Sequence, residues 1–224
     1  MKLVTFQSYA ALEFLIKNKF LICDDTLVNQ KKVGKTYDWI VEKMNKQIPN
    51  NTSAKYPIWA WVKCYNGVCP PKRKGTPVSG FDVKITFNKK KKDVFITDFR
   101  LYSFLLNNMY IPESKKDRDN FDELLKKYNI TSEELKAFVR SDKYESHRND
   151  KGYIDICNKI RASFDKCITT NSDVLQGCVW QIALEEVESI EILHDKNYSY
   201  GTLNYIRSNG ERINWIEDYY KRLK

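Results

Sequence analysis

From Phe81 to Phe87 (Phe81-Asp82-Val83-Lys84-Ile85-Thr86-Phe87) apolar and polar side chains alternate without interruption. Only a strand with one buried face uses such a run. Leu3 to Gln7 alternates in the same way over a shorter stretch. Pro57-Ile58-Trp59-Ala60-Trp61-Val62, bounded by a proline and the turn Tyr65-Asn66-Gly67, reads as an aromatic strand. After a lysine-rich turn, Val94-Phe95-Ile96 reads as the hairpin partner of 81–87. Residues 113–168 differ: they are charged, with apolar residues at helical spacing (Phe121-Leu124-Leu125, Leu135-Phe138-Val139, Ile154-Ile156-Ile160-Phe164), and predict three helices. Strand character then returns at Val174 to Ile182 and Glu188 to Leu193.

Strands, then helices, then strands again, with few single-helix crossovers, describe an α+β fold. A mixed or antiparallel sheet is favoured over a doubly wound parallel one. The expected organisation is a single core over residues 1–193 with a helical middle insertion at about 113–168, and a C-terminal strand-helix extension, 194–224, packed on it. Helix starts carry side-chain caps: Ser8 for a helix with Ala11, Leu12, Leu15 and Ile16 inward, Thr36 for one with Trp39, Ile40 and Met44 inward, and Thr97 or Asp98 for one through Leu101 and Leu105. Thr131-Ser132-Glu133-Glu134 has the form of a capping box.

With 224 residues, 42% hydrophobic and 30% charged, the chain is long enough to bury one sizeable core. No apolar run approaches the roughly 18 residues that span a bilayer. The expectation is a cytoplasmic protein with no membrane partner and with its six cysteines reduced. His147 and His194 are the only histidines. Cys64 and Cys69 form at most half a metal site, so no metal is expected. Gly-rich phosphate loops are absent from the sequence.

The net charge of +9 is clustered. Lys72, Arg73 and Lys74 precede the clearest strand, and Lys89, Lys90, Lys91 and Lys92 follow it. On a basic hairpin they would attract nucleic acid; otherwise they keep strand edges soluble. Asp98 stands where a strand meets a helix, which suits either a cap or a substrate ligand. Trp59 and Trp61, two apart on a strand, share a face. With Tyr37 and Trp39 nearby they form either core or a ledge that stacks a nicotinamide, an adenine or a nucleobase.

Leu3-Val4-Thr5-Phe6-Gln7, Tyr37-Asp38-Trp39, Tyr56-Pro57-Ile58-Trp59-Ala60-Trp61, Thr97-Asp98-Phe99 and Gln176 with Trp180-Gln181-Ile182 together resemble the pattern of a bacterial domain-of-unknown-function family, number 3841, over roughly residues 1–193. The chain departs from that pattern at Val4 (aromatic in the family), Thr97 (serine), Tyr102 (tryptophan) and Gln181 (glutamate). The same frame is fainter in its similarity to ADP-ribosyltransferase-like domains. That likeness implies an NAD-binding protein, transferring ADP-ribose or hydrolysing the cofactor, with a protein acceptor among its partners. It implies that Gln7 and Thr5 hold the cofactor, that Trp59, Trp61 and Tyr37 line it, and that Gln176 binds ribose, with Gln176 and Asp98 as the catalytic pair. A closing-strand carboxylate, which such enzymes use against positive charge on the ribose, is replaced here by an amide. The alternative is a non-catalytic nucleic-acid-binding or partner-binding module.

Overall fold

The computed structural model describes residues 1–25, 30–63, 82–135 and 150–192. The chain passes back and forth between two compact units, one of residues 1–23, 50–95 and 176 onward, the other of 24–49 and 96–175. The mixture of helices with antiparallel strand pairs is the α+β class expected. The second unit is wider than the helical segment foreseen at 113–168.

In the first unit, strand β1 (Lys2–Gln7) leads through Ser8 into helix α1 (Tyr9–Asn18). Ser8 Oγ accepts from Ala11 N at 3.2 Å, satisfying one of the helix's orphan donors. Leu12, Leu15 and Ile16 are buried, at the spacing of one helical stripe. Lys19 ends α1 in the left-handed region, φ 69°. Its carbonyl then accepts from Leu184 N, next to the short antiparallel pair of β2 (Phe20–Ile22) with β7 (Gln181–Ala183).

Among the described residues β3 (Ile58–Lys63), β4 (Val83–Asn88), β5 (Phe95–Asp98), β6 (Leu175–Val179) and β8 (Val187–Ile192) complete the strands. The large sheet has the order β5-β6-β3-β1-β4-β8. β1 pairs antiparallel with β3 on one edge and β4 on the other, and β4 pairs antiparallel with β8. The hairpin expected between 81–87 and 94–96 therefore does not form. Both edges of β4 are taken by β1 and β8, and a 3-10 turn at Lys91–Asp93 carries the chain away to the far end of the sheet.

The second unit holds α2 (Gln30–Gln47), α3 (Phe99–Leu106), α4 (Lys115–Lys127) and α5 (Lys151–Ser163). α2 begins before Thr36, so that residue is helix interior and not a cap. Trp39, Ile40, Met44, Leu105, Ile156 and Ile160 are buried within this unit, each contributing on the order of 1.5–3 kcal/mol of hydrophobic stabilisation. Asp150 caps α5 through Tyr153 N at 2.9 Å. Gly152 is required in its first turn, since a Cβ there would lie 2.2 Å from Tyr128 Cδ1. Thr131 and Glu134 make the reciprocal bonds of the foreseen capping box, Glu134 N to Thr131 Oγ1 at 3.2 Å and Thr131 N to Glu134 Oε2 at 2.6 Å. The extension at 194–224 and the cluster Lys72, Arg73 and Lys74 lie outside the described residues, as do Cys64, Cys69 and both histidines.

Candidate functional site

Because side chains alternate across a sheet, register decides which residues can share a surface. Val4 stands opposite Trp61, and continuing that antiparallel register sets Phe6 opposite Trp59 and Thr5 opposite Ala60. On the other edge of β1, Leu3, Thr5 and Gln7 face Phe87, Ile85 and Val83. Leu3, Thr5, Ile58, Ala60, Val83, Ile85, Phe87 and Ile190 thus share one face, and all are buried. The opposite face carries Val4, Phe6, Trp59, Trp61, Lys84, Thr86, Ser189 and Glu191, all half-buried.

Gln176 belongs with the tryptophans. A Cβ on Gly177 would meet Leu3 Cδ2 at 3.1 Å and Val62 Cγ2 at 3.0 Å, so position 177 looks onto the apolar face. Alternation sends Gln176 and Cys178 to the other. The Cys178 thiol is fully buried and its pKa is pushed up by that burial, which makes it a poor nucleophile.

Gln7 and Thr5 leave the sheet on the apolar face, away from the indoles. Thr5 is buried, and its hydroxyl donates to the Trp59 carbonyl at 2.7 Å; Gln7 Nε2 donates to Thr5 Oγ1 at 2.8 Å. A buried hydroxyl needs such partners, and these bonds give the pair a structural task. One pocket gathering Gln7, Trp59, Trp61 and Gln176 on a common face is not what the register builds. Trp59, Trp61 and Gln176 lie on one face of the sheet.

Asp98 and Tyr37 belong to the second unit. Asp98 caps α3, accepting from Arg100 N at 2.7 Å and Leu101 N at 3.4 Å, and its carboxylate also receives Arg100 Nη2 at 3.1 Å. Arg100 Nη2 reaches Ser172 Oγ at 3.1 Å as well. Burial works to raise the Asp98 pKa. The hydrogen bonds from the Arg100 side chain, Ser172 and the two backbone N–H groups outweigh it and hold the carboxyl below its ordinary range. Such a group is a fixed anion and cap, ill-suited to proton transfer near neutrality. Close by, burial, with the charges of Asp98 and Asp165, pushes the Cys167 thiol up to about 12. Tyr37 is half-buried on α2, whereas Trp39 is 1% exposed and is core, not ledge.

Of the basic run after β4, Lys89 is committed elsewhere. Its ammonium donates to both Glu186 carboxylate oxygens at 2.8 and 2.7 Å and to the Gln181 carbonyl at 2.9 Å. Glu186 also accepts from Ala183 N at 2.9 Å, holding the turn between β7 and β8. Lys90, Lys91 and Lys92 are exposed. Lys89→Gln should therefore cost about 1–2 kcal/mol by leaving Glu186 partly buried without its cation. The triple change of Lys90, Lys91 and Lys92 to glutamine should stay within about 0.5 kcal/mol in urea unfolding. Equal costs would remove Lys89 from this structural role.

Lys84, Thr86, Ser189 and Glu191 were not singled out from the sequence, although the alternation in 81–87 already separates Lys84 and Thr86 from the buried positions. Among the described residues no group of three or more His, Cys, Asp or Glu side chains is placed to hold a metal ion, and no helix is long and apolar enough to cross a membrane. The model of one protein family, described as Domain of unknown function (DUF3841), matches residues 2–188. No curated protein and no solved structure matches the chain.

Proposed function

The chain belongs to the family described as Domain of unknown function (DUF3841), and from that premise we propose that it is an ADP-ribosyltransferase-like protein that binds NAD on the tryptophan-bearing face of its sheet. The observation that carries this reading is the shared face of Trp59, Trp61 and Gln176. Two indoles two residues apart offer a stacking surface for a heteroaromatic ring, and an amide beside them can exchange hydrogen bonds with ribose hydroxyls. Gln176 supplies no full charge, so any transfer or hydrolysis of ADP-ribose relies on positioning. Thr5, Gln7 and Asp98 serve the fold in this reading.

Calorimetric titration with NAD, read together with indole fluorescence, tests it. Binding with quenched emission is expected, and Trp61→Ala should weaken it by about 1–3 kcal/mol, roughly five- to a hundredfold. Nicotinamide release in the same incubation separates turnover from binding alone. No heat and no quenching at millimolar NAD would end the proposal.

A further inference from the structure

The half-buried face that carries the indoles continues past β1 in ordered rows. One row runs Trp59, Phe6, Lys84, Glu191 across β3, β1, β4 and β8, and the next runs Trp61, Val4, Thr86, Ser189. Neighbouring strands lie about 4.8 Å apart, so Lys84 and Thr86 stand about 10 Å from the tryptophans. Between them Phe6 and Val4 make an apolar floor. At the far end the Lys84 ammonium meets Glu191 Oε2 at 3.0 Å, with side chains 30% and 23% exposed. The pair is thus withdrawn from bulk water yet within reach of a ligand, and two hydroxyls flank it.

This arrangement has two chemically distinct ends. Stacking belongs to the indoles; a cation, an anion and two hydroxyls belong to the opposite end. A free base or nicotinamide stacked on the indoles is too short to span the roughly 10 Å to the second end. A nucleoside phosphate has both parts: ribose hydroxyls that donate to a carboxylate, and phosphate oxygens that accept from an ammonium. An ammonium bonded to one carboxylate oxygen has further N–H donors by its own valence.

Resting on the reading of this face as a nucleotide site, we propose that Lys84 is its phosphate-binding residue and Glu191 its ribose-binding residue, with Thr86 and Ser189 as hydroxyl partners. The ligand class is then a whole nucleoside phosphate, recognised at both ends.

Calorimetry with adenosine, ADP, NAD and nicotinamide on the full chain tests this, using wild type, Lys84→Met, Glu191→Gln and the double variant Lys84→Met/Glu191→Gln. Wild type should bind ADP roughly tenfold to a hundredfold more tightly than adenosine. Lys84→Met should erase that gap while leaving adenosine affinity unchanged, and Glu191→Gln should weaken adenosine and ADP alike. The double variant, which leaves no unpaired charge, guards against misreading a folding defect and should likewise lack the gap. Adenosine and ADP binding equally to wild type would overturn this assignment and leave the stacking site standing, as would a Lys84→Met change that lowers both equally. Wild type binding none of the four ligands would overturn both.

Discussion

Asp98→Ala should lower stability by about 3 kcal/mol, and Asp98→Asn by about half of that. The alanine change removes the α3 cap, which accepts from two backbone N–H groups and by itself contributes about 0.5–2 kcal/mol. It also strips a carboxylate that is 4% exposed from the Arg100 guanidinium it holds. Breaking a fully buried pair costs about 3–5 kcal/mol; because the Arg100 side chain is half exposed, solvent takes up part of that loss. Asparagine keeps an oxygen for the cap and loses the charge. For a chain of this size each kcal/mol shifts the melting temperature by about 2–4 °C, so alanine should lower it by roughly 6–12 °C.

The pH dependence follows from the lowered pKa of Asp98 in the folded state. Its stabilisation is present in full above the ordinary carboxyl value of 3.8 and is lost as pH falls from there through the lowered folded value. Acid unfolding of the wild type should contain a component in that window which Asp98→Asn lacks. NAD affinity should be the same in the wild type and the asparagine variant. Unchanged melting with abolished NAD binding or turnover would instead give the carboxylate the ligand-binding role that its place between strand and helix also suggested.

What was legible in the sequence was local. Ser8, Asp98 and the Thr131–Glu134 box announce their helices because a cap is made within three residues of itself. β4 is visible because burying one face imposes a period of two, and β3 because its aromatic run is bounded by a proline and a turn. In β1 the buried face carries Leu3 and Thr5 while Val4 and Phe6 lie on the other, so its alternation marks a strand but not its core side. β2 escapes notice, being three residues long and too short for a period to register, and the strand character over Val174 to Ile182 is divided at Trp180 into β6 and β7. The partners of β4 are not legible locally because strand pairing is settled between distant segments: β8 comes about a hundred residues later and takes the edge that the nearer candidate, β5, would have filled.

The site was half legible for the same reason. That Trp59 and Trp61 share a face follows from their spacing. Whether Gln7 shares it depends on the single offset that sets Val4 against Trp61. A slip of one residue would bring the indoles round to the Gln7 side, and neither strand's own sequence contains that information. Lys89 is a further case. Within its basic run nothing distinguishes it from Lys90, and only the turn at 184–186 selects it as the partner of Glu186.

Replacing Trp39 should separate the value of its ring from that of its N–H. The indole is 1% exposed, lies edge-on to Phe164 with centroids 5.9 Å apart, and has Lys43 Nζ 5.8 Å from its ring centre. Lys43 is itself held by Asp165 at 2.6 Å, on the 3-10 turn that begins with Phe164. Trp39→Ala should cost about 3–5 kcal/mol, through lost burial and the cavity left between α2 and that turn. A buried tryptophan N–H ordinarily has an acceptor, but Trp39 Nε1 is buried without one among the described residues. Trp39→Phe therefore sacrifices volume but no hydrogen bond, and should cost only about 1–2 kcal/mol. Thr97 follows the same logic: its hydroxyl is fully buried and makes no hydrogen bond among the described residues, so Thr97→Val should be neutral or stabilising by up to about 1 kcal/mol. Urea unfolding of the three variants reads all of these at once. Phenylalanine costing as much as alanine would mean that the indole N–H has a partner that matters, and a destabilising valine at 97 would say the same of the hydroxyl.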